Sequence, residues 1–301
     1  MSNIDFSAYT DSVVNAIGPK ASPRVKEAFP ILIRKIHEFL IEADVTTEEW
    51  MEACNLMVEA GAVSSEKRNE VVLVTDVLGI ESLVNTLDQT RVQRKAANGV
   101  ASSSANPTDS AILGPFYRAG VPLQPNGTCI IRQDEPGAPY THLYGRIFGA
   151  DGKPLADALV DIWHDAPDGF YDAQSPEKPE YHCRGRFKTD AEGRYDTVCL
   201  RPTAYPIPFD HSAGKLLQMM DRHPYRPAHI HFWVEAEGHK TLVTQIFDSD
   251  SDYLTDDAVF AVRDKLIVHF QPISKSYTPP KDCEGKMKFE LEQDFHLQKA
   301  E

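Results

Sequence analysis

At 301 residues the chain is long enough for one large domain, or two of ordinary size, with a substantial core. Hydrophobic residues make up 42% and charged residues 25%, the composition of a soluble globular protein. The formal net charge of −14 argues against nucleic-acid and anionic-membrane binding, both of which need a basic footprint.

No stretch approaches the roughly 18 apolar residues of a membrane span. The opening MSNIDFSAYTDSVV lacks the basic head and apolar run of a secretory signal. Cys54, Cys129, Cys183, Cys199 and Cys283 are widely scattered, with no Cys-x-x-Cys pair. They read as reduced thiols, so a cytoplasmic protein is expected, and the sequon Asn126-Gly127-Thr128 then marks only a turn.

Residues up to about Gln93 read as helical. Phe29, Ile33, Ile36 and Leu40 recur at helical spacing, although Pro30 obscures where that helix starts. Thr46-x-x-Glu49 is a capping box ahead of Trp50, Cys54 and Met57. A third helical segment is expected from Glu70 to Leu87. From Gly99 to Thr108 a breaker-rich linker marks a boundary, which divides the chain into residues 1–106 and 107–301. Beyond it, short strands alternate with turns. Leu143–Phe148 and Ala158–Trp163 flank Asp151-Gly152, a hairpin signal. Gly185–Lys188 and Arg194–Leu200 flank Asp190–Gly193, and His229–Glu235 and Leu242–Phe247 flank Glu237-Gly238. A helical patch is expected at Asp257–Val268, and Lys286–Leu291 closes the set. The expected class is α+β: an N-terminal helical domain followed by a mixed β-sandwich.

Within this frame Arg226-Pro-Ala-His-Ile-His-Phe-Trp-Val234 carries the chemistry. Side chains alternate faces along a strand, so His229 and His231 point the same way and suit a shared metal ion. Alone, the pair reads more readily as two polar, outward-facing residues on a half-buried strand. Tyr171 and Tyr205 change the balance. A phenol has a pKa of about 10, and a highly charged cation is needed to hold it deprotonated at neutral pH. Two phenolates favour a hard trivalent ion. Other signals fail: Asp248-Ser-Asp-Ser-Asp252 opens like a calcium loop but has Tyr253 at the glycine position and Val259 at the glutamate position, so it reads as an acidic surface loop. His164 ends a strand and reads as hydrogen-bonded.

Leu113-Gly-Pro-Phe-Tyr117, Trp163-His164, Gly169-Phe-Tyr171, Thr189–Tyr195, Tyr205, Arg226–His231 and Thr244-Gln-Ile246 together resemble the intradiol ring-cleaving dioxygenases, in the catechol and hydroxyquinol 1,2-dioxygenase branch. The resemblance covers most of the chain. It implies one non-haem Fe(III) per subunit held by Tyr171, Tyr205, His229 and His231, with Tyr205 as the ligand that departs when substrate binds. It assigns Arg226 and Gln245 to stabilising charge on the ring. It also implies a homodimer joined through the N-terminal helices, with a phospholipid in an apolar channel there. Substrate contacts are implied for Leu73 and Asp76 from the helical region and for Ile112, Leu113, Gly114 and Pro115 ahead of the strands. Ile207 and Pro208 follow the second tyrosine.

Asp76 and the Tyr-Pro-Ile-Pro run point to hydroxyquinol (1,2,4-trihydroxybenzene), cleaved with O2 to 3-hydroxy-cis,cis-muconate or maleylacetate. Catechol, cleaved to cis,cis-muconate, is the alternative. On this reading the Asp76 carboxylate accepts the third hydroxyl of the ring; the bland alternative is a helix-capping or solvated acid. Two other classes stay open on the residues alone. A cupin-like ferrous or zinc enzyme would need a further histidine or carboxylate, and a non-catalytic sandwich would present exposed aromatics.

Overall fold

The computed structural model describes residues 6–97 and 107–300, so of the expected linker only Pro107 and Thr108 fall within the described residues. Two compact units form, Met1–Val58 and Glu59–Glu301. In the smaller unit α1 (Ser7–Asn15) packs on α2 (Pro23–Glu42). The Thr10 hydroxyl meets His37 Nδ1 at 2.9 Å and Arg34 pairs with Asp11 at 2.7 Å. α2 starts where Ser22 accepts from the Val25 N–H and Pro23 enters the first turn, and it continues through Pro30. None of its residues is fully buried. Phe29, Leu32, Ile36 and Phe39 all stand exposed. α3 (Thr47–Val63) begins at the expected capping box, with Thr46 N–H on Glu49 Oε2 (2.8 Å) and Glu49 N–H on Thr46 Oγ1 (3.2 Å).

In the larger unit the segment expected as one helix from Glu70 to Leu87 is two, α4 (Glu70–Val77) and α5 (Ile80–Ala97). The break falls at Gly79, whose φ of +69° ends the first helix in the left-handed region. The strands then run β1 (Tyr140–Phe148), β2 (Leu159–Trp163), β3 (Arg184–Lys188), β4 (Arg194–Leu200) and β5 (Tyr205–Pro206). After the short α6 (Ser212–Met219) come β6 (Tyr225–Arg226), β7 (His229–Glu235), β8 (Leu242–Asp248), β9 (Ile267–Val268), β10 (Gln271–Pro272), β11 (Met287–Glu292) and β12 (Phe295–His296).

One sheet has the order β10-β11-β1-β12 with β4 also on β1; a second has the order β3-β2-β7-β8-β9; β5 and β6 form a two-stranded ribbon. Leu143 and Ile147 from the first sheet meet Val160, Ile162, Ile230, Phe232 and Val234 from the second in one buried cluster, which is the core of a β-sandwich.

Three expectations need correction. β1 and β2 are not a hairpin across Asp151-Gly152, and β3 and β4 are not one across Asp190–Gly193: each pair splits between the two sheets. The turns exist (Gly152 N–H on Gly149 O, Gly193 N–H on Asp190 O,), but a turn sets only local chain reversal, and burial of both strand faces sends the partners to opposite layers. Only β7 and β8 form the expected hairpin.

Nor is Asp257–Val268 helical. The Asp257 carboxylate accepts from the N–H groups of Val259 and Ala261, a local alternative to helical bonding, leaving one 3-10 turn at Asp264–Leu266. α6, by contrast, was not foreseen. In the acidic run, Asp248 is buried rather than on the surface, and Asp248 and Asp250 both pair with Arg201 (2.5 and 2.8 Å). Among the described residues no helix is long and apolar enough to cross a membrane.

The reciprocal bonds at Thr46 and Glu49 give a direct test of the α3 start. Thr46→Ala is expected to cost about 1 kcal/mol in urea unfolding, while Glu49→Gln, whose amide oxygen still accepts, should cost less than half of that. Equal, negligible losses from both would show that the cap contributes nothing.

Candidate metal centre and active site

Three strand ladders assemble the site. β7 carries His229 and His231 on one face, and its pairing with β8 sets Gln245 opposite His231. On its other side β2 sets Trp163 opposite His231. The β5–β6 ribbon sets Tyr205 opposite Arg226. Tyr171 comes from the loop after β2, where its N–H donates to Gln174 Oε1 (2.9 Å) and its ring stacks on Phe116 (centroids 4.9 Å).

The result is a chain of four donor atoms: Tyr171 Oη to Tyr205 Oη 3.1 Å, Tyr205 Oη to His229 Nε2 3.5 Å, and His229 Nε2 to His231 Nε2 3.1 Å. All four residues are at least 97% buried. The His231 ring lies flat on Trp163 (4.7 Å, 9°). Its other neighbour is Gly114 (φ +76°), where an added Cβ would stand 3.2 Å from His231 Cε1. Stacking and close backbone approach together leave this imidazole little room to turn.

The protonation states follow from burial. His229 Nδ1 lies 2.7 Å from the Pro227 carbonyl, which only accepts, so the proton sits on Nδ1 and Nε2 offers its lone pair. Burial, and then Arg226, hold His229 well below the usual histidine range; burial, and then His229, do the same for His231. Burial pushes the Tyr171 phenol well above 10. It pushes Tyr205 up to about 12, less far because Arg226 favours the phenolate. Neutral imidazoles and two phenols that release their protons only to a strong positive charge fit a hard, highly charged cation. Ferric iron is such an ion, and the donor set fits it.

Arg226 is the electrostatic hub. Its Nε and Nη2 pair with the Asp257 carboxylate (3.0 and 3.2 Å), Nη2 also donates to Gln245 Oε1 (2.8 Å), and Nη1 donates to His229 Nε2 (2.9 Å). Burial opposes its charge, but Asp257 more than restores it. Gln245 is itself oriented by donating to the Ile112 carbonyl (2.7 Å).

The residues expected to contact substrate are distributed around this centre. Leu73, Ile112 and Ile207 share a buried apolar cluster with Tyr171 and Tyr205. The Leu113 N–H donates to Glu81 Oε1 (2.7 Å), and the Asn69 N–H donates to the Pro115 carbonyl (3.0 Å), tying the 112–115 segment to α5 and to the start of α4. Ile207 and Pro208 line a cleft of about 510 Å³ shared with Phe116, Phe170 and Arg68; none of the four donor residues lines it.

Asp76 lies one turn beyond Leu73 on the same face of α4. It is neither a cap nor solvated: it is wholly buried, and neither carboxyl oxygen has a hydrogen-bond partner of good geometry. Burial, reinforced by neighbouring Glu81, pushes its carboxyl up to about 9, so at neutral pH it is an acid group carrying its proton rather than the carboxylate first expected.

His164 is hydrogen-bonded, as expected, Nδ1 lying 2.6 Å from the Asp165 carbonyl. Three supporting groups escaped the sequence reading: Asp257 behind Arg226, Glu81 behind Leu113, and Arg184. The Arg184 guanidinium lies 5.7 Å over the Tyr171 ring and is paired with Asp172 at 2.5 Å. Asp257 and Glu81 lie 31 and 32 residues from the partners they hold, and Arg184 lies 12 residues from Asp172, so no local pattern marks them.

The family model described as Dioxygenase matches residues 112–299, and that described as Catechol dioxygenase N terminus matches residues 22–96. Catechol 1,2-dioxygenase of Candida albicans is 40% identical over 291 residues, 96% of this chain and 91% of that protein. Hydroxyquinol 1,2-dioxygenase of a Rhizobium species is 41% identical over 252 residues, 83% of this chain and 81% of that one. Among solved structures, hydroxyquinol 1,2-dioxygenase of Pseudomonas putida superposes with a TM-score of 0.76 at 31% identity, covering 97% of this chain and 98% of its own. With both the sandwich and the matching sequence in place, the chain belongs to the intradiol ring-cleaving dioxygenases, in the catechol and hydroxyquinol 1,2-dioxygenase branch.

Proposed function

We propose that this chain holds one non-haem ferric ion on Tyr171, Tyr205, His229 and His231 and cleaves hydroxyquinol with O2 to 3-hydroxy-cis,cis-muconate or maleylacetate. The observation that carries the metal assignment is the convergence of four buried donor atoms, two imidazole nitrogens and two phenol oxygens, each within 3.5 Å of the next along the cluster. Ferric iron held on these four residues would supply Lewis acidity toward adjacent ring hydroxyls.

The protein's own residues do the rest. Tyr205 Oη would be the group to take a proton from a substrate hydroxyl, since burial pushes this phenol up to about 12 and a phenolate there binds a proton readily. Arg226 Nη1 donates to His229 Nε2, and were His229 to hold a cation instead, that N–H would be free to meet negative charge on the ring. In a dry site one such donor is worth several kcal/mol of barrier, on the order of 3. Gln245 keeps the guanidinium aimed, and Leu73, Ile112, Leu113, Gly114, Pro115, Ile207 and Pro208 supply a mainly apolar wall that excludes water.

Asp76 supports hydroxyquinol. Asp76 is wholly buried beside the Glu81 carboxyl, and the third ring hydroxyl is a further group that its carboxyl is able to meet. The catechol reading is favoured by the 40% identity to the Candida albicans enzyme. We further propose that residues 1–106 serve dimerisation and residues 107–301 catalysis. The exposed Phe29, Leu32, Ile36 and Phe39 support a homodimer through these helices and a phospholipid held against them. The five free thiols support a reducing, cytoplasmic setting.

The ligand assignment is tested by colour and metal content. Tyr171→Phe and Tyr205→Phe should each weaken or shift the visible phenolate-to-iron absorption, and His229→Ala and His231→Ala should lose iron. Full colour and metal in all four would exclude it.

For substrate choice, the neutral Asp76 contributes about 0.5–1.5 kcal/mol through one hydrogen bond, or about two- to tenfold in kcat/KM. Wild type should prefer hydroxyquinol, and Asp76→Leu should lose that margin mainly through hydroxyquinol. A wild-type preference for catechol, or a ratio untouched by the substitution, would move the assignment to catechol.

For assembly, light scattering should give about twice the 33.7 kDa chain mass. A monomer at micromolar concentration would remove the dimer.

A further inference from the structure

Away from the ring-cleaving centre, Cys129, Asp282 and Cys283 bring two thiols and a carboxylate together, their ligand atoms all within 4.8 Å of one another. Cys129 lies ahead of β1, where it bridges to Val198 of β4. Asp282 and Cys283 lie in a 3-10 turn ahead of β11, and β1 and β11 are parallel neighbours. Cys283 is wholly buried and Cys129 half-buried in an apolar cluster with Tyr140, Val198 and Leu200, whereas Asp282 is exposed. Tyr171 and Tyr205 lie in a different cluster.

We propose that Cys129, Asp282 and Cys283 form a binding site for a thiophilic divalent cation such as zinc, separate from the iron centre. The donor set argues for this class of ion. Two sulfurs and one oxygen suit zinc or cadmium and not calcium or magnesium. A tetrahedral ion with Zn–S bonds of about 2.3 Å holds its two sulfurs about 3.8 Å apart, a spacing compatible with the observed cluster. A disulfide would require closure of the two sulfurs to about 2.05 Å. The exposed side, at Asp282, gives an ion its path in and leaves the fourth position for water.

Both thiols carry protons in the free site. Burial pushes each of them up, while Lys286 nearby acts in the opposite direction. Binding therefore releases one proton from each sulfur to solvent as two metal–thiolate bonds form, with no change of oxidation state. The bound ion would tie the entrances of two neighbouring strands whose sequence positions are far apart, so it should also raise thermal stability.

The test uses iron-loaded enzyme in a non-thiol reductant, titrated with Cd2+. The expected result is one equivalent bound per chain, a thiolate-to-metal charge-transfer band in the ultraviolet, a rise in the thermal midpoint, and unchanged iron content and visible colour. Cys129→Ser and Cys283→Ser should each weaken binding at least tenfold, Asp282→Asn by a smaller factor, and Cys54→Ser not at all. Wild-type enzyme read by thiol alkylation and mass spectrometry covers the case of variants that do not fold: Cd2+ should slow alkylation of the half-buried Cys129 and leave that of Cys54 unchanged. An absent band, a band surviving in the double Cys129→Ser, Cys283→Ser variant, loss of iron in step with cadmium uptake, or protection of Cys54 instead would each overturn the proposal.

Discussion

A guanidinium wholly removed from water costs several kcal/mol unless its charge and its N–H groups are met, and the active site is organised around meeting that cost at Arg226. Asp257 supplies the countercharge, Gln245 takes one N–H, and His229 takes another. Each partner is itself held. Asp257 accepts from Val259 and Ala261, Gln245 donates to Ile112, and His229 donates to Pro227. One buried charge thereby couples β6, β7, β8, the 257–261 loop and the 112–115 segment. Removing any of these leaves a buried group unsatisfied.

The same dryness sets the chemistry of the donors. Imidazoles kept neutral and phenols kept protonated have no strong partner except a cation, so the site is poised for a hard metal while Arg226 supplies fixed positive charge beside it. Asp76 extends the pattern to the helical side. In water it would be a carboxylate; beside Glu81 and without solvent it keeps its proton. The region around the four donors thus holds a neutral acid at Asp76 and a fixed cation at Arg226, each set in place by its own neighbours.

The sequence was informative where the physics is local. Strand alternation put His229 and His231 on one face, the Thr46–Glu49 box marked α3, and Glu237-Gly238 joined a true hairpin. It was misleading where the outcome depends on distant partners. Asp151-Gly152 and Asp190–Gly193 are real turns, yet which layer each flanking strand joins is decided by burial against residues from the other end of the chain.

The 257–268 segment carries helix-compatible residues, but Asp257 is committed to Arg226 and to its own loop, and that commitment overrides propensity. Gly79 was visible only as part of an apolar helical stretch, although its left-handed backbone ends α4 and so places Asp76. The supporting acids Asp257 and Glu81 were illegible for the same reason, their partners Arg226 and Leu113 being separated from them along the chain.

The dependence of the site on the Arg226–Asp257 pair is tested most directly by a double-mutant cycle on kcat/KM, with Arg226→Lys, Asp257→Asn and the two combined, each checked for iron content and folding. If Asp257 acts through Arg226, the double variant should lose no more than Arg226→Lys alone, a strongly non-additive result. Losses that multiply would contradict it and give Asp257 a separate role.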